Sequence, residues 1–150
     1  AWFCFILQNS MKKILSNSDN ETKNTAYNLA ATLNKDNGIL CLYGNLGSGK
    51  TTFTQGLAEY FGIKRIISPT FILVRPYKIK SIFKSLYHID LYRLNNLKEI
   101  KNLGFEEIIS DKNNLVVIEW AENAGTILPK KRIDIHFKWL SENKRELSYE

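Results

Sequence analysis

The sequence predicts a single α/β domain with a central mixed sheet, containing parallel strands and an antiparallel portion, with helices on both faces. Two short apolar runs, residues 39–43 and 115–118, are typical of strands covered on both faces. Segments with apolar residues at helical spacing separate them, which favours parallel pairing. The length of 150 residues favours one domain.

The antiparallel portion is predicted from two segments rich in β-branched and aromatic residues, 70–77 and 81–90. A polar turn near residues 78–80 joins them, so we expect a hairpin. Farther along the chain, apolar and polar residues alternate over 133–138, as in a half-exposed strand. We expect the tail 144–149 to pair with that strand.

The helices are predicted from capping signals and apolar spacing. Ser18 and Glu21 have the spacing of a capping box, and apolar residues follow at helical intervals, which predicts a helix over 19–34. A second helix is expected over 50–61, ending at Gly62. Residues 97–109 have helical spacing that Gly104 interrupts, so two short helices are expected there.

The first ten residues differ in character from the rest of the chain. They are apolar and uncharged, whereas Met11, the single methionine, is followed by two lysines. We therefore expect residues 1–10 to be an extension added in cloning or translated from upstream sequence, and residues 11–150 to form the domain; the alternative is that residues 1–10 form a short N-terminal strand. The cysteines, Cys4 and Cys41, lack metal-ligand spacing and are expected to be reduced thiols of a cytoplasmic protein. No apolar run approaches the roughly 20 residues of a membrane span.

The net charge of +6 is concentrated in one segment. Between residues 60 and 89 there is no Asp or Glu, yet six basic residues fall there. Such a segment predicts a surface that faces a partner or an anion such as nucleic acid, although an ordinary solvated surface has the same composition. The basic residues are Lys64, Arg65, Arg75, Lys78, Lys80 and Lys84.

The most informative motif is a glycine-rich loop that follows the first apolar run. Strand, G-x-x-x-x-G-K-T and helix together are the context of a Walker A phosphate loop. Lys50 is expected to reach the β- and γ-phosphates, and the Thr51 hydroxyl to bind Mg²⁺. The predicted nucleotide-binding residues are Gly44, Asn45, Leu46, Gly47, Ser48, Gly49, Lys50, Thr51 and Thr52. Because the guanine-specific Asn-Lys-x-Asp motif does not occur, we expect ATP.

A site for Mg²⁺ and nucleotide also needs a carboxylate at the end of a neighbouring strand. Two acids qualify, Asp90 after residues 86–89 and Glu119 after residues 115–118, and either can instead be a surface acid at a strand end. His88 is a candidate to orient Asp90 or a buried strand histidine. His136 is expected on the surface and Trp139 in the core.

The loop Ser68-Pro69-Thr70-Phe71 precedes the predicted hairpin. A hydroxyl in such a loop can sense the γ-phosphate through Mg²⁺, as in nucleotide-driven switches. The alternative is a plain turn in which proline sets the backbone. The spacing does not decide between the two.

Taken in order, GNLGSGKTTFTQGLA, SPTF, HIDLYR and VIEWAE resemble the TsaE (YjeE) family, bacterial P-loop ATPases of tRNA threonylcarbamoyladenosine synthesis. The likeness spans residues 18–137. The phosphate loop alone is generic, whereas SPTF, H-x-D-x-Y-R and E-W in this order are specific. The segment after Trp139 aligns poorly.

The resemblance implies a P-loop NTPase-like fold and several residue roles. Asp90 would be a metal or water-orienting acid, and Glu119 would replace the missing Walker B aspartate. Trp120 would lie close enough to the nucleotide to report binding by fluorescence. Arg93 belongs to the motif without a clear role, and like Arg75, Lys78, Lys80 and Lys84 it is expected to face a partner or an anion. The family is expected to act on a heterodimer of the transferase subunit and a related protein, with ATP hydrolysis resetting that complex between rounds.

Two other functions fit parts of the sequence. A small P-loop kinase acting on a nucleoside or other small molecule would use the same phosphate loop. An RNA-binding module is suggested by the basic segment, whose aromatic residues could stack on bases. The RNA-binding interpretation leaves the phosphate loop without a purpose, so a basic hairpin that contacts a partner protein or tRNA is the better version.

Overall fold

The computed structural model describes residues 11–67 and 73–149. The predicted extension 1–10, with Cys4, and the predicted switch-like loop 68–71 lie outside the described residues. Within the described ranges, no helix is long and apolar enough to cross a membrane.

A mixed seven-stranded sheet forms the centre of the described part of the chain. The strands are β1 (Lys12–Ser16), β2 (Ile39–Tyr43), β3 (Val74–Lys78), β4 (Ser85–Asp90), β5 (Asn114–Glu119), β6 (Ile133–Trp139) and β7 (Arg145–Tyr149). Their order across the sheet is β1-β7-β6-β2-β5-β4-β3. The strands β6, β2, β5 and β4 are parallel, while β3 and β7 run antiparallel to their neighbours.

Helices cover both faces of the sheet. They are α1 (Asp19–Ala30), α2 (Lys50–Tyr60), α3 (Leu97–Asn102), α4 (Phe105–Ser110) and a 3-10 helix, η1 (Ala121–Ile127). One core lies beneath α1 and α2, and a second lies beneath α3, α4 and η1. Successive side chains of β2 point to opposite faces of the sheet, so Leu40 and Leu42 enter the first core and Cys41 enters the second. The predicted fold class is therefore confirmed.

Helix α1 begins as the capping box predicts, because the Ser18 hydroxyl accepts from the Glu21 amide. The helix ends at Ala30, earlier than the predicted residue 34. The backbone then turns, and the amides of Thr32 and Leu33 donate hydrogen bonds to the carbonyl oxygens of Leu29 and Ala30. Leu33 lies beyond the helix end and is buried in the first core, with 8% exposure. The apolar spacing therefore continues past the helix, which is why the predicted helix was too long.

The predicted hairpin is confirmed, since β3 and β4 pair antiparallel, but β4 begins at Ser85, later than the predicted residue 81. The connection spans residues 79–84 rather than a tight turn at 78–80. Ile79 and Phe83 in this connection are buried in the first core, so their apolar character reflects packing and not strand pairing. The two short helices around Gly104 are confirmed as α3 and α4.

The C-terminal strands form as predicted, with β7 paired antiparallel to β6. Strand β1 was not predicted. It is an outermost strand of the sheet and pairs with β7. The prediction for Trp139 is wrong: it is the last residue of β6 and is 58% exposed. His136 is exposed, as expected.

Candidate nucleotide-binding site

The carboxyl ends of the parallel strands meet at one edge of the sheet, and the glycine-rich loop lies there between β2 and α2. Gly49 has φ +108, and a Cβ at this position would lie 2.6 Å from Arg145 Nη1. Gly44 leaves β2 with φ +150 beside the Phe137 carbonyl. These positions exclude side chains, so the loop curls tightly around the start of α2.

Lys50, the first residue of α2, is directed back into this loop. Its Nζ donates to the carbonyl oxygens of Gly44 and Asn45, the latter at 2.9 Å, and lies 3.5 Å from Ser48 Oγ. The side chain is 5% exposed, and burial lowers the pKa of the ammonium while Glu119 partly opposes this shift. A buried ammonium of this kind favours an anion beside it.

The carboxylate of Glu119, the last residue of β5, is held by two side chains. Thr51 Oγ1 lies 3.0 Å from its Oε1, and His88 Nε2 lies 3.2 Å from its Oε2. Glu119 is 2% exposed and His88 is fully buried. The structure therefore pairs His88 with Glu119 and not with Asp90, the acid it was a candidate to orient.

Asp90 ends β4 directly beside Glu119, because the two residues are register partners in neighbouring parallel strands. Its Oδ1 accepts from the Tyr92 amide at 2.9 Å. Burial raises the pKa of Asp90, and the negative charge of Glu119 adds to this effect. The two candidate acids thus lie together at the end of the sheet that carries the phosphate loop.

Trp120 follows Glu119 in a left-handed backbone conformation, with φ 56, the only non-glycine residue of the described ranges with positive φ. This turn brings its indole over Lys50, whose Nζ lies 4.3 Å from the ring centroid. Tyr92 packs against the same indole, with ring centroids 4.9 Å apart. Strain of this kind concentrates at functional sites.

These groups line a cleft of about 490 Å³ at the same edge of the sheet. Of the predicted nucleotide-binding residues, six line the cleft together with Trp120: Leu46, Gly47, Gly49, Lys50, Thr51 and Thr52. Gly44, Asn45 and Ser48 are absent from the lining, and they contact Lys50 from within the loop. Glu119, Asp90 and Arg93 complete the predicted set in the cleft.

Sequence reasoning missed other residues of the cleft, above all Asp19 and Arg145. Asp19 belongs to the capping-box segment, where an acid is expected for helix stability alone. Arg145 lies in the C-terminal segment after Trp139, in which the sequence analysis found no motif. Neither position carries a motif, so no sequence signal pointed to them.

The predicted basic surface is separate from the cleft. Because β3 is antiparallel to β4, the connection after β3 lies at the opposite edge of the sheet from the phosphate loop. Lys78, Lys80 and Lys84 are exposed on this hairpin tip, and Arg75 is half-buried within β3. Of the predicted partner-facing residues, Arg93 is therefore the one found in the cleft.

The residues present suit a magnesium–nucleotide complex. Among the described residues, no group of three or more His, Cys, Asp and Glu side chains forms a metal cage. Mg²⁺ is usually held by one or two carboxylates and substrate phosphates, and the hydroxyl of Thr51 with Glu119 and Asp90 supplies such a partial set. The half-buried Asp90 carboxyl, with its raised pKa, would gain from a neighbouring cation.

A model of the family described as threonylcarbamoyl adenosine biosynthesis protein TsaE matches residues 16–147. The chain belongs to the TsaE family. Relatives carrying that protein name include one from Rickettsia bellii, 46% identical over 131 residues that cover 86% of this chain and 88% of the relative. One from Bacillus subtilis is 38% identical over 130 residues, covering 86% of this chain and 78% of the relative.

The fold agrees with this membership. The crystal structure of YdiB from Bacillus subtilis superimposes with a TM-score of 0.73 at 33% identity, covering 93% of this chain and 84% of that one. The resemblance to TsaE proteins seen in the sequence is thereby confirmed. The P-loop NTPase fold of the family implies nucleotide binding.

Proposed function

We propose that this TsaE-family chain is a Mg²⁺-dependent ATP-binding and ATP-hydrolysing subunit needed for threonylcarbamoyl modification of adenosine 37 in tRNA. The observation that carries the proposal is the contact between Thr51 and Glu119 at 3.0 Å. It links the hydroxyl after the phosphate-loop lysine to the acid that ends the neighbouring strand, the two groups that hold the metal in P-loop enzymes.

Each residue then has a defined task. The loop amides from Gly47 to Gly49 and the Lys50 ammonium bind the phosphates. Thr51 and Glu119 would hold Mg²⁺, which would neutralise charge on the transferring phosphoryl group. Asp90, beside Glu119, would contact the metal or orient the attacking water.

His88 keeps the Glu119 carboxylate directed at Thr51. Nε2 is the ring nitrogen that faces the carboxylate, and Nδ1 is buried with no partner among the described residues. A proton on Nε2 lets the ring donate to the carboxylate and satisfies this buried acceptor.

The switch role rests on the family and on the exposed basic tip. We propose that the chain acts in the cytoplasm on a heterodimer of the transferase subunit and its related partner protein, and that hydrolysis resets this complex. Because the tip of Lys78, Lys80 and Lys84 lies away from the cleft, it can contact an acidic partner surface or tRNA without blocking nucleotide entry. The loop 68–71 remains the candidate element that responds to the γ-phosphate.

The test is steady-state ATP hydrolysis by the purified chain, with and without the two partner proteins. We expect negligible turnover alone and a large increase with partners, and no nucleotide binding by Lys50→Ala. A matched control is Lys35→Ala, which removes an exposed lysine far from the cleft. Unchanged turnover with partners would separate the chain from this complex, and phosphoryl transfer to nucleosides would then favour a small kinase.

A further inference from the structure

Asp19 and Arg145 line the cleft from the side opposite the metal-binding acids. In the sheet order, β5 and β4, which carry Glu119 and Asp90, lie on one side of β2. Strands β6, β7 and β1 lie on the other side. Arg145 begins β7 and Asp19 follows β1, and the pairing of Ser16 with Arg145 brings both to the same edge of the sheet as the phosphate loop.

This placement suggests the direction of a nucleotide bound as proposed above. With Mg²⁺ held by Glu119 and Asp90, the γ-phosphate would lie toward these acids. The nucleoside would then extend from the phosphate loop toward β6, β7 and β1. Asp19 and Arg145 are the cleft residues that β7 and the β1–α1 connection supply on that side.

The guanidinium of Arg145 is built into the site. Arg145 is 7% exposed, and its Nε is buried without a hydrogen-bond partner among residues 11–67 and 73–149. Its Nη2 donates to Asp19 Oδ1 at 2.8 Å, and its Nη1 lies against Gly49. Because the guanidinium is buried and lies against a glycine of the phosphate loop, Arg145 is held in place, unlike an arginine of a fully exposed ion pair.

Asp19 in turn has acceptor capacity left. One carboxylate oxygen is bound by Arg145, while the side chain is 68% exposed and faces the cleft. A carboxylate fixed in this way is suited to accept hydrogen bonds from the two hydroxyls of a ribose. Asp19 is not needed as the helix cap, since Ser18 fills that role.

We propose that Asp19 accepts the ribose hydroxyls of the bound nucleotide and that Arg145 positions Asp19 while supporting the phosphate loop at Gly49. This proposal rests on the proposed nucleotide binding and specifies its ligand as a ribonucleoside triphosphate. Asp19 becomes a specificity residue, and Arg145 acts through Asp19 and Gly49.

The experiment compares three ligands by calorimetry: ATP, 2′,3′-dideoxy-ATP and inorganic tripolyphosphate, each with Mg²⁺. The wild type should bind ATP roughly tenfold more tightly than the dideoxy form, since a hydrogen bond to a charged group is worth about that ratio or more. Asp19→Ala should bind ATP and dideoxy-ATP equally, with tripolyphosphate affinity unchanged. Arg145→Gln should lose the same discrimination and also bind tripolyphosphate more weakly.

Glu21→Ala is the matched control, because it removes the other acid of the first turn of α1 and lies outside the cleft. It should keep the wild-type preference for ATP, with thermal melting used to compare the fold of all variants. Retained discrimination in Asp19→Ala, or equal weakening of all three ligands, would overturn the inference and leave nucleotide binding intact. If the wild type binds none of the three, the proposed function itself fails.

Discussion

The hydroxyl of Thr51 and the carboxylate of Glu119 lie 3.0 Å apart, although 68 residues separate them in the chain. Their contact joins the first turn of α2 to the end of β5. The other oxygen of the carboxylate is bound by His88 from β4. Three neighbouring elements thus fix one buried carboxylate at the edge of the sheet where the phosphate loop begins.

Replacement of this carboxylate should separate binding from turnover. For Glu119→Ala we expect nucleotide binding to persist, because the loop amides and Lys50 remain, while hydrolysis with partners falls to background. Calorimetry gives the binding and phosphate release gives the turnover. Glu122→Ala, an exposed acid in η1, is the control and should hydrolyse normally. Equal turnover by Glu119→Ala and the wild type would remove Glu119 from the mechanism.

Removal of His88 should affect turnover through Glu119. His88→Ala leaves Glu119 Oε2 buried without its partner, and loss of such a partner to a metal-binding carboxylate typically costs about 10- to 100-fold in activity or metal affinity. We expect kcat with partners to fall in that range and KM for ATP to change little. His88→Gln should recover part of the loss. A matching fall in His136→Ala, on the exposed side of β6, would point to a general folding defect.

Trp120 should report occupancy of the site. Its indole lies 4.3 Å from Lys50 Nζ, so a phosphate bound by this ammonium changes the electric field at the ring. We expect tryptophan fluorescence to change on addition of nucleotide in the wild type. The same change is expected in the control Trp139→Phe, because Trp139 is 58% exposed and lies outside the cleft. Trp120→Phe should lose the signal and still bind in calorimetry. An undiminished signal in Trp120→Phe would contradict this assignment.

Gly56 lies where α2 crosses α1, and a Cβ there would clash with the Lys23 carbonyl oxygen. Alanine at a helix position usually stabilises relative to glycine by about 1 kcal/mol. Here the contact with backbone reverses the sign, and we expect Gly56→Ala to lower the free energy of unfolding by about 1–3 kcal/mol. Urea denaturation measures it. Asn24→Ala, on the exposed side of α1, is the control and should not destabilise; a stable Gly56→Ala protein would disprove the close approach.

Cys41 should make stability fall at alkaline pH. Burial, with a smaller contribution from Asp134, raises the pKa of its thiol from 9.0 to about 12. Above pH 9 the unfolded chain loses this proton and the folded chain retains it, so stability declines as pH rises. Between pH 8 and pH 10 the wild type should lose about 1.4 kcal/mol relative to Cys41→Ala in urea titrations. A constant difference between the two proteins would show that the thiol ionises in place.

The sequence predicted the fold class and the position of the glycine-rich loop between a strand and a helix because both depend on local signals. Continuous apolar runs marked β2 and β5, and the G-x-x-x-x-G-K-T spacing marked the loop between β2 and α2. The acids Asp90 and Glu119 could be proposed since carboxyl ends of parallel strands meet at one edge. Their common register confirmed that they are neighbours.

Other features depend on contacts that no local pattern encodes. His88 was a candidate partner for Asp90, two residues away, yet its ring binds Glu119 from the neighbouring strand. Trp139 continues the alternating pattern of the inward-facing residues of β6. It is nevertheless exposed, at the last position of that strand. The positions of β1 and Arg145 both depend on β7. This strand pairs with β1 and brings Arg145 against Gly49.

The position of β7 has a consequence for biosynthesis. The phosphate loop is synthesised early, whereas Arg145, which packs against Gly49, belongs to the last of the seven described strands to be made. Strand β1, the first of these seven, finds its pairing partner in β7 only at that late stage. A nascent chain therefore carries the complete Walker A sequence for most of its synthesis without Arg145 beside it, and the loop should reach its full affinity for phosphate only after β7 has paired with β6.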